Sequence, residues 1–401
     1  MTTEREKKSR IIDWFYNLIE RREKIVRTTD CICRIFVGLV FLFSSFVKGV
    51  DPMGTAYKIQ EYMTAWSIGS LSFEWALPLA PYLSVALVTI EFLIGVLLIT
   101  NSLRVINAWL LLLMMTFFLV TTLIDAITNK VTDCGCFGDF IKLTNWQTFW
   151  KNVVLMVPTL VIFFCRHIKK KHRTFERDIL IVLFAIAAMV GFAIYNINNE
   201  PVLDFREWKV GNKMIPETDG KIVSYVTYKN KATGQTEEFL SEKLMDYMQD
   251  TNWENEWEFV DSRVVDPTVI AAPGFSMLGI DGVDYAKEII GSPDPVIIAT
   301  SHDIDEINSN GIESLQRVKD IAEQHNVKYV FLTASLPENV EKFLEDNKLS
   351  EVSYFLADDK AIETMLRSNP GFILLKDAIV KGKWHYRNYN KIRSVDFEQL
   401  D

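Results

Sequence analysis

The sequence predicts two parts: an α-helical membrane bundle of five transmembrane helices, then an α/β extracytoplasmic domain. Three observations carry this expectation. Five apolar stretches near the ~20 residues needed to cross the hydrocarbon core all lie before residue 198. Charge divides at the same point: residues 1–197 hold 21 Lys/Arg against 15 Asp/Glu, whereas residues 198–401 hold 22 against 37. Beyond it, short apolar runs alternate with helical periodicity, as in an α/β sheet. A chain of 401 residues, 49% hydrophobic and 24% charged, is neither disordered, nor collagen-like, nor a disulfide-rich miniprotein. The acidic second half argues against nucleic-acid binding, which needs clustered Lys/Arg for phosphate.

The chain begins with a basic segment. Ile11, Phe15, Leu18, Ile19, Ile25 and Val26 recur there at helical spacing among Arg and Lys. That pattern predicts an amphipathic helix lying on the cytoplasmic membrane surface. The charged stretch is too long for a cleaved signal peptide, and no small-residue cleavage site follows the first span. Five spans follow: Ile32–Val50, Leu79–Thr100, Val105–Asp125, Val153–Cys165 with the aromatic turn before it, and Ile179–Ile197. The fourth contains Pro158, tolerated in a span when neighbours satisfy the freed carbonyl. It opens among Trp146, Phe149 and Trp150, residues suited to the membrane interface.

Basic residues set the orientation. Residues 1–27 and the loops 101–104 and 166–178 fall on one side and hold 15 Lys/Arg; the opposite short loops hold Lys58, Lys130 and Lys142. The basic side is therefore expected in the cytoplasm. An odd number of spans then places the N-terminus in the cytoplasm and the acidic half outside it.

In the second half, Ile222–Tyr228 and Gln235–Leu240 bracket the turn-rich Asn230–Gly234, a hairpin signal. A Trp-rich segment with Trp253 and Trp257 leads to Asp266–Pro267. Then come a strand at Val296–Thr300, a helix at Gly311–Gln324, a strand at Tyr329–Thr333 and a helix opening on proline at Pro337–Asn347. A strand at Tyr354–Ala357 and a short helix around Ile362–Arg367 follow, and the strands Phe372–Lys376 and Ile379–Trp384 close the chain as a hairpin. The expected division is 1–28 cytoplasmic segment, 29–197 membrane domain, 198–265 β-rich linker region and 266–401 α/β domain.

From Ala272 to near the C-terminus this order resembles the thioredoxin fold, in its membrane-anchored periplasmic branch. Ala272-Pro273-Gly274-Phe275 and Ser368-Asn369-Pro370-Gly371-Phe372 carry the likeness. The resemblance implies a cis Asn369–Pro370 bond and a neighbouring backbone free to pair with an extended peptide. Asn369 and Pro370 are thus candidate partner-binding residues. Where the resemblance expects Cys-X-X-Cys, the chain reads Ser301-His302-Asp303-Ile304-Asp305, and no cysteine follows Cys165. Disulfide exchange needs a thiolate, so this domain cannot perform it alone. His302 reads as a surface residue.

Five cysteines remain to be placed. Cys31, Cys33 and Cys165 are expected at the cytoplasmic membrane edge, reduced, as small apolar fillers of helices. Cys134 and Cys136 fall between the third and fourth spans, on the side where disulfides persist. They sit in Asp133-Cys134-Gly135-Cys136-Phe137-Gly138-Asp139, where glycines free the backbone. A bridge between cysteines one residue apart closes a small strained ring, and strain eases reduction. An outward-facing, easily reduced pair suits a thiol–disulfide carrier, which makes Cys134 and Cys136 the candidate catalytic residues. Asp133 and Asp139 work against the thiolate. A static structural disulfide and two unpaired thiols are the alternatives. Without a nearby His two sulfurs make a poor zinc site, and no metal is expected.

Arg34, Gly38, Phe41, Ser45 and Lys48 form one stripe of the first span. With Cys-Gly-Cys-Phe-Gly before the fourth span, Arg34–Val161 resembles the DoxX/MauE group of membrane proteins. The whole layout is similar to DoxX-family proteins of Bacteroidetes. MauE-like members are implicated in making disulfides in a periplasmic enzyme, DoxX-like members in quinone-linked sulfur oxidation. The resemblance therefore implies redox work, with quinone as a candidate cofactor.

Glu91 lies in the middle of the second span. Charge at that depth costs about 2.5–3.5 kcal/mol and is usually paired or functional. Arg34 is the expected partner by depth. The pair reads either as a structural clasp or as a quinone or proton site, with Glu91 and Arg34 as candidate cofactor-binding residues. The expected function is extracytoplasmic thiol–disulfide or quinone-linked redox chemistry through Cys134 and Cys136, with a non-catalytic tail that recognises a partner. The alternative is a non-enzymatic anchor or scaffold whose tail binds an extracytoplasmic protein. A transporter role for Glu91 is disfavoured by five spans without an inverted repeat. The lipid bilayer and that protein are the expected partners; the sequence sets no oligomeric state.

Overall fold

Uninterrupted runs of Leu, Ile, Val and Phe leave a chain in lipid one economical way to satisfy its backbone, the helix. In the computed structural model, five helices among the described residues are long and apolar enough to cross a membrane: Glu23–Val50, Trp75–Thr100, Arg104–Thr128, Asn145–Phe164 and Phe175–Asn198. This is a multi-pass membrane protein whose surroundings are the lipid bilayer. The structure describes residues 2–66, 73–131, 143–167, 175–215, 223–241, 253–265 and 275–400, with the single positions 135, 138, 140, 141, 243, 244, 248, 270 and 272; for 2–22, 74, 223, 254, 255 and 263–265 it describes the backbone alone. Two compact units divide the chain, Met1–Leu203 and Asp204–Asp401. Most of the stretch expected as a separate linker region therefore clusters with the α/β part.

The first unit opens with α1 (Thr2–Val50), 49 residues without a break. The basic N-terminal segment is thus continuous with the first span and not a separate surface helix. No Gly or Pro lies between Thr2 and Val37, so nothing in that stretch of sequence ends the helix. A second helix, α2 (Pro52–Ala65), was not legible as an element; Asp51 caps it by accepting from the Gly54 N–H at 2.9 Å. The remaining helices are α3 (Ala80–Thr100), α4 (Arg104–Thr128), α5 (Asn145–Phe164) and α6 (Phe175–Asn198). Helix α5 starts eight residues before the expected Val153 because Thr144 and Gln147 form a capping box. Trp146, Phe149 and Trp150 are its first turns.

Helices α1 and α3 approach at paired glycines. A Cβ on Gly95 would stand 3.0 Å from the Gly38 carbonyl oxygen and 2.9 Å from the Leu42 side chain. Small residues permit such backbone proximity in membranes. Gly95→Leu is expected to cost about 1–3 kcal/mol by overpacking, read as a lower midpoint for the helical unit in detergent. An unchanged midpoint would contradict this crossing.

The second unit holds two sheets. The smaller is antiparallel, order β2-β1-β3, built from β1 (Val223–Asn230), β2 (Thr236–Leu240) and β3 (Trp257–Val265). The expected hairpin is β1–β2. Strand β3 was hidden in the Trp-rich segment, preceded by the single turn α7 (Trp253–Glu256), whose Trp253 stacks on Trp257 at 5.4 Å.

The larger sheet follows the expected alternation: α8 (Ala286–Ile290), β4 (Val296–Ser301), α9 (Ser309–Gln324), β5 (Lys328–Thr333), α10 (Pro337–Asp346), β6 (Ser353–Leu356), α11 (Asp359–Met365), β7 (Gly371–Lys376) and β8 (Ile379–His385). Its order is β6-β5-β4-β7-β8, with β4, β5 and β6 parallel and β7 antiparallel to both neighbours. Central strand β4 is buried on both faces, as its unbroken apolar run requires. Val296 and Ile298 enter one core with Val330 and Ile373, while Ile297 and Ala299 enter the other with Phe331 and Phe372. This is the α/β part the sequence predicts.

Candidate functional site

The bundle buries several charged groups, and one ion pair joins α1 directly to α3. Glu91 of α3 is 1% exposed and Lys48 of α1 is 5% exposed, and the Lys48 Nζ donates to Glu91 Oε1 at 2.6 Å. Ser44 Oγ donates to the other carboxylate oxygen at 3.2 Å. The Lys48 ammonium also stands 5.4 Å from the centre of the Phe118 ring, a cation–π distance. Helix α5 brings Asn152 to the same place; its Nδ2 donates to Thr122 Oγ1 of α4 at 3.2 Å. Four helices thus meet around one ion pair.

Arg34 is not Glu91's partner. Its Nε donates to Asp30 Oδ2 at 3.0 Å and its Nη1 to the Leu98 carbonyl at 3.0 Å. Arg104 Nη2 donates to the same Asp30 oxygen and to the Cys165 carbonyl, each at 2.9 Å. The reason is register. Helices α1 and α3 are antiparallel, so Arg34 reaches the Leu98 end of α3, while Glu91, seven residues back along α3, comes level with Ser44 and within reach of the long Lys48 side chain. Lys48 was visible in the sequence as the end of the stripe that begins at Arg34; its role was missed because depth alone does not fix which turn of α3 it meets. Asp30 and Arg104 were missed as partners for the same reason.

The cavity beside Glu91, lined by Ser44, Lys48, Met115, Phe118 and Asn152, measures about 30 Å³. That admits a water or two and not a quinone ring. With Arg34 elsewhere, the two residues expected to hold a quinone do not form a site that fits one.

The loop between α4 and α5 carries the cysteine motif. Cys134 and Cys136 lie outside the described residues. Gly135, between them in the chain, and Gly138 both take left-handed φ, 58° and 50°, which explains the glycines. The Gly138 N–H donates to the Gly135 carbonyl at 3.0 Å, closing a turn. A Cβ on Gly135 would meet Lys58 Cγ of α2 at 3.3 Å, and one on Gly138 would meet Val47 Cγ1 of α1 at 3.4 Å. Phe140 packs edge-on against Phe43 at 5.6 Å. At the base, Asn145 Nδ2 donates to the Val131 carbonyl at 2.9 Å, and the Tyr62 hydroxyl donates to Asp125 at 2.6 Å. The loop therefore folds onto the end of α1, one residue from Lys48 at Val47.

In the α/β unit the Asn369–Pro370 bond is cis. Ser301 Oγ donates to Asn369 Oδ1 and Asn369 Nδ2 donates to the Asp303 carbonyl, both at 2.7 Å. A polar latch thus occupies the place where the fold resemblance looks for a dithiol. Pro370 packs on Gly311, where a Cβ would come within 2.6 Å of the proline ring. His302 is half-buried and not the surface residue expected.

Two comparisons bear on these sites. Residues 26–165 match the family model of methylamine utilisation protein MauE. Over those residues the membrane unit is similar to MauE. That match takes in the Lys48–Glu91 pair, the Asp30–Arg34–Arg104 cluster and the cysteine loop together. Among curated proteins the chain is similar to Protein TlpB of Flavobacterium psychrophilum, 25% identical over 197 residues, 48% of this chain and 51% of that protein. The chain spans about half the length of the curated relative it matches.

Proposed function

We propose that the protein is an inner-membrane participant in extracytoplasmic thiol–disulfide chemistry through Cys134 and Cys136. The observation that carries this reading is the folded α4–α5 loop. Gly135 and Gly138 rest on Lys58 and Val47, and Asn145 clamps the base of the loop whose sequence carries the motif. The MauE likeness of the bundle and the similarity to TlpB support it. In the proposed step a thiolate of a partner dithiol attacks the Cys134–Cys136 disulfide; the partner's second thiol then displaces the mixed disulfide. The partner loses two electrons and gains an S–S bond, and Cys134 and Cys136 become two thiols. The Lys48–Glu91 pair holds α1 against α3 beneath this loop. The α/β unit, thioredoxin-like in its strand order and cis proline, supplies recognition and no chemistry, with Asn369 and Pro370 at its docking place. The acidic half lies in the periplasm and the N-terminus in the cytoplasm, as the DoxX-like layout and the loop charges indicate.

Thiol trapping on intact cells tests this. Wild-type protein is expected to gain two alkylatable thiols on treatment with reductant, and Cys134→Ser/Cys136→Ser protein to gain none. Cells carrying the double variant should accumulate reduced periplasmic thiols. An unchanged thiol pool would reject the reading. The Ser301–Asn369 latch favours one second reading, an anchor whose tail binds a partner protein. Under it, partner capture by the full chain survives loss of both cysteines and the thiol pool does not move.

A further inference from the structure

The α/β unit carries an open strand edge inside an acidic groove, and we infer that this groove takes an extended, Lys/Arg-bearing segment of a second protein as an added strand. The groove encloses about 860 Å³ along β6, away from the Asn369–Pro370 place, and is open to solvent. Strand β6 lies at the edge of the sheet. The Ala357 N–H reaches the Thr333 carbonyl of β5, so residues 353, 355 and 357 face β5 and residues 354 and 356 face outward. Leu356 spends its outward N–H and C=O on Leu278, both at 2.8 Å. The chain then leaves through the turn Gly279–Gly282, whose closing bond runs from the Gly282 N–H to the Gly279 carbonyl. One step along the strand, the outward N–H and C=O of Tyr354 meet no backbone partner among the described residues. The template for a further strand is therefore begun by Leu278 and left unfinished.

Charge says what completes it. A strand added here sends alternate side chains to the two faces of the sheet. On the face of Phe355, which packs on Tyr285 at 5.5 Å, the groove presents Asp281 and Glu288. On the face of Tyr354, which packs with α10, it presents Glu341 and Glu345. Glu351 stands at the strand's start with its side chain 87% exposed. Lys328 is the one basic residue lining the groove among those described. Carboxylates on both sides favour a basic strand. They repel a second copy of this edge, which is how charges guard edges against self-pairing. Backbone pairing would give affinity and the carboxylates selectivity. The inference concerns a surface apart from the cysteine loop, so its failure leaves the thiol reading standing, and the reverse.

The test uses the full chain in detergent micelles and labelled peptides of about ten residues, followed by fluorescence anisotropy. A peptide of Lys, Thr and Val is expected to bind at least about tenfold more tightly than its counterpart with Glu for Lys, and to weaken with added salt. The same basic peptide N-methylated throughout keeps its charge but cannot pair with a strand; it is expected to lose about tenfold or more. Glu288→Lys/Glu345→Lys protein, changed only at exposed residues, should lose the preference for the basic peptide. Equal binding of the acidic and basic peptides, or of the methylated and unmethylated ones, overturns the inference, and those arms need no variant to fold.

Discussion

Lys48→Met in the intact protein is expected to destabilise the helical unit by roughly 3–5 kcal/mol, the usual cost of leaving one member of a buried ion pair alone. Glu91 is 1% exposed, so its carboxylate has at most a water or two in a cavity of about 30 Å³ to turn to once the ammonium at 2.6 Å is gone. Ser44 offers a single hydroxyl in compensation. Lys48→Met/Glu91→Gln removes both charges, keeps the volume close and retains an amide acceptor for Ser44. Because a buried pair and a well-packed neutral replacement are often close in energy, the double variant should recover most of the loss. Unfolding in mixed micelles measures all four corners of the cycle. Recovery of both stability and the thiol state of Cys134 and Cys136 fits a clasp that positions the loop. Recovery of stability with a lost thiol response would give the pair a proton-handling role instead. A Lys48→Met protein within about 1 kcal/mol of wild type would contradict burial of the pair altogether.

The same pair shows what the sequence could and could not disclose. Five spans were readable because composition alone decides that a segment prefers lipid. Strands β4, β5, β6 and β7 were readable because each is a short apolar run ended by turn residues. Strand β3 was not: Glu258, Asp261 and Arg263 interrupt its apolar positions, and the small antiparallel sheet tolerates charge on its open face. Helix α2 was masked by its mixed composition; its start depends on a local cap at Asp51. Glu91 was recognisable as a group in need of a partner, yet the partner depended on helix register. Gly38 and Gly95 set that register by letting α1 and α3 touch, and only with it fixed does Lys48, not Arg34, come within reach of Glu91. The cysteine loop was legible as a glycine-freed turn. Its seat on Val47 and Lys58 was not, since neither residue carries a sequence signal for such a contact.

At the start of the second unit, Asp204→Asn should cost roughly 2–4 kcal/mol, somewhat under the figure for a fully buried pair because Asp204 keeps part of its side chain in water. Its carboxylate meets Arg206 Nε at 2.7 Å and Lys383 Nζ of β8 at 2.6 Å, and those two side chains are 4% and 3% exposed. Burial alone would raise the Asp204 carboxyl. The charges and hydrogen bonds of Arg206 and Lys383 outweigh it and hold the group well below the usual carboxylate range. The sign follows from linkage. The unfolded chain takes up this proton near the ordinary Asp value of about 3.9, the folded chain only at lower pH, so in that interval the unfolded state binds more protons. The contribution is therefore complete above the ordinary value and drains away as pH falls through the depressed one. Acid unfolding of the α/β unit, followed in the full chain by tryptophan fluorescence, should come at higher pH in Asp204→Asn than in wild type. Asn keeps the shape and a hydrogen-bond acceptor but leaves two buried cations without their counter-charge. A variant with unchanged acid midpoint and unchanged melting temperature would mean that Arg206 and Lys383 are held by solvent and not by Asp204.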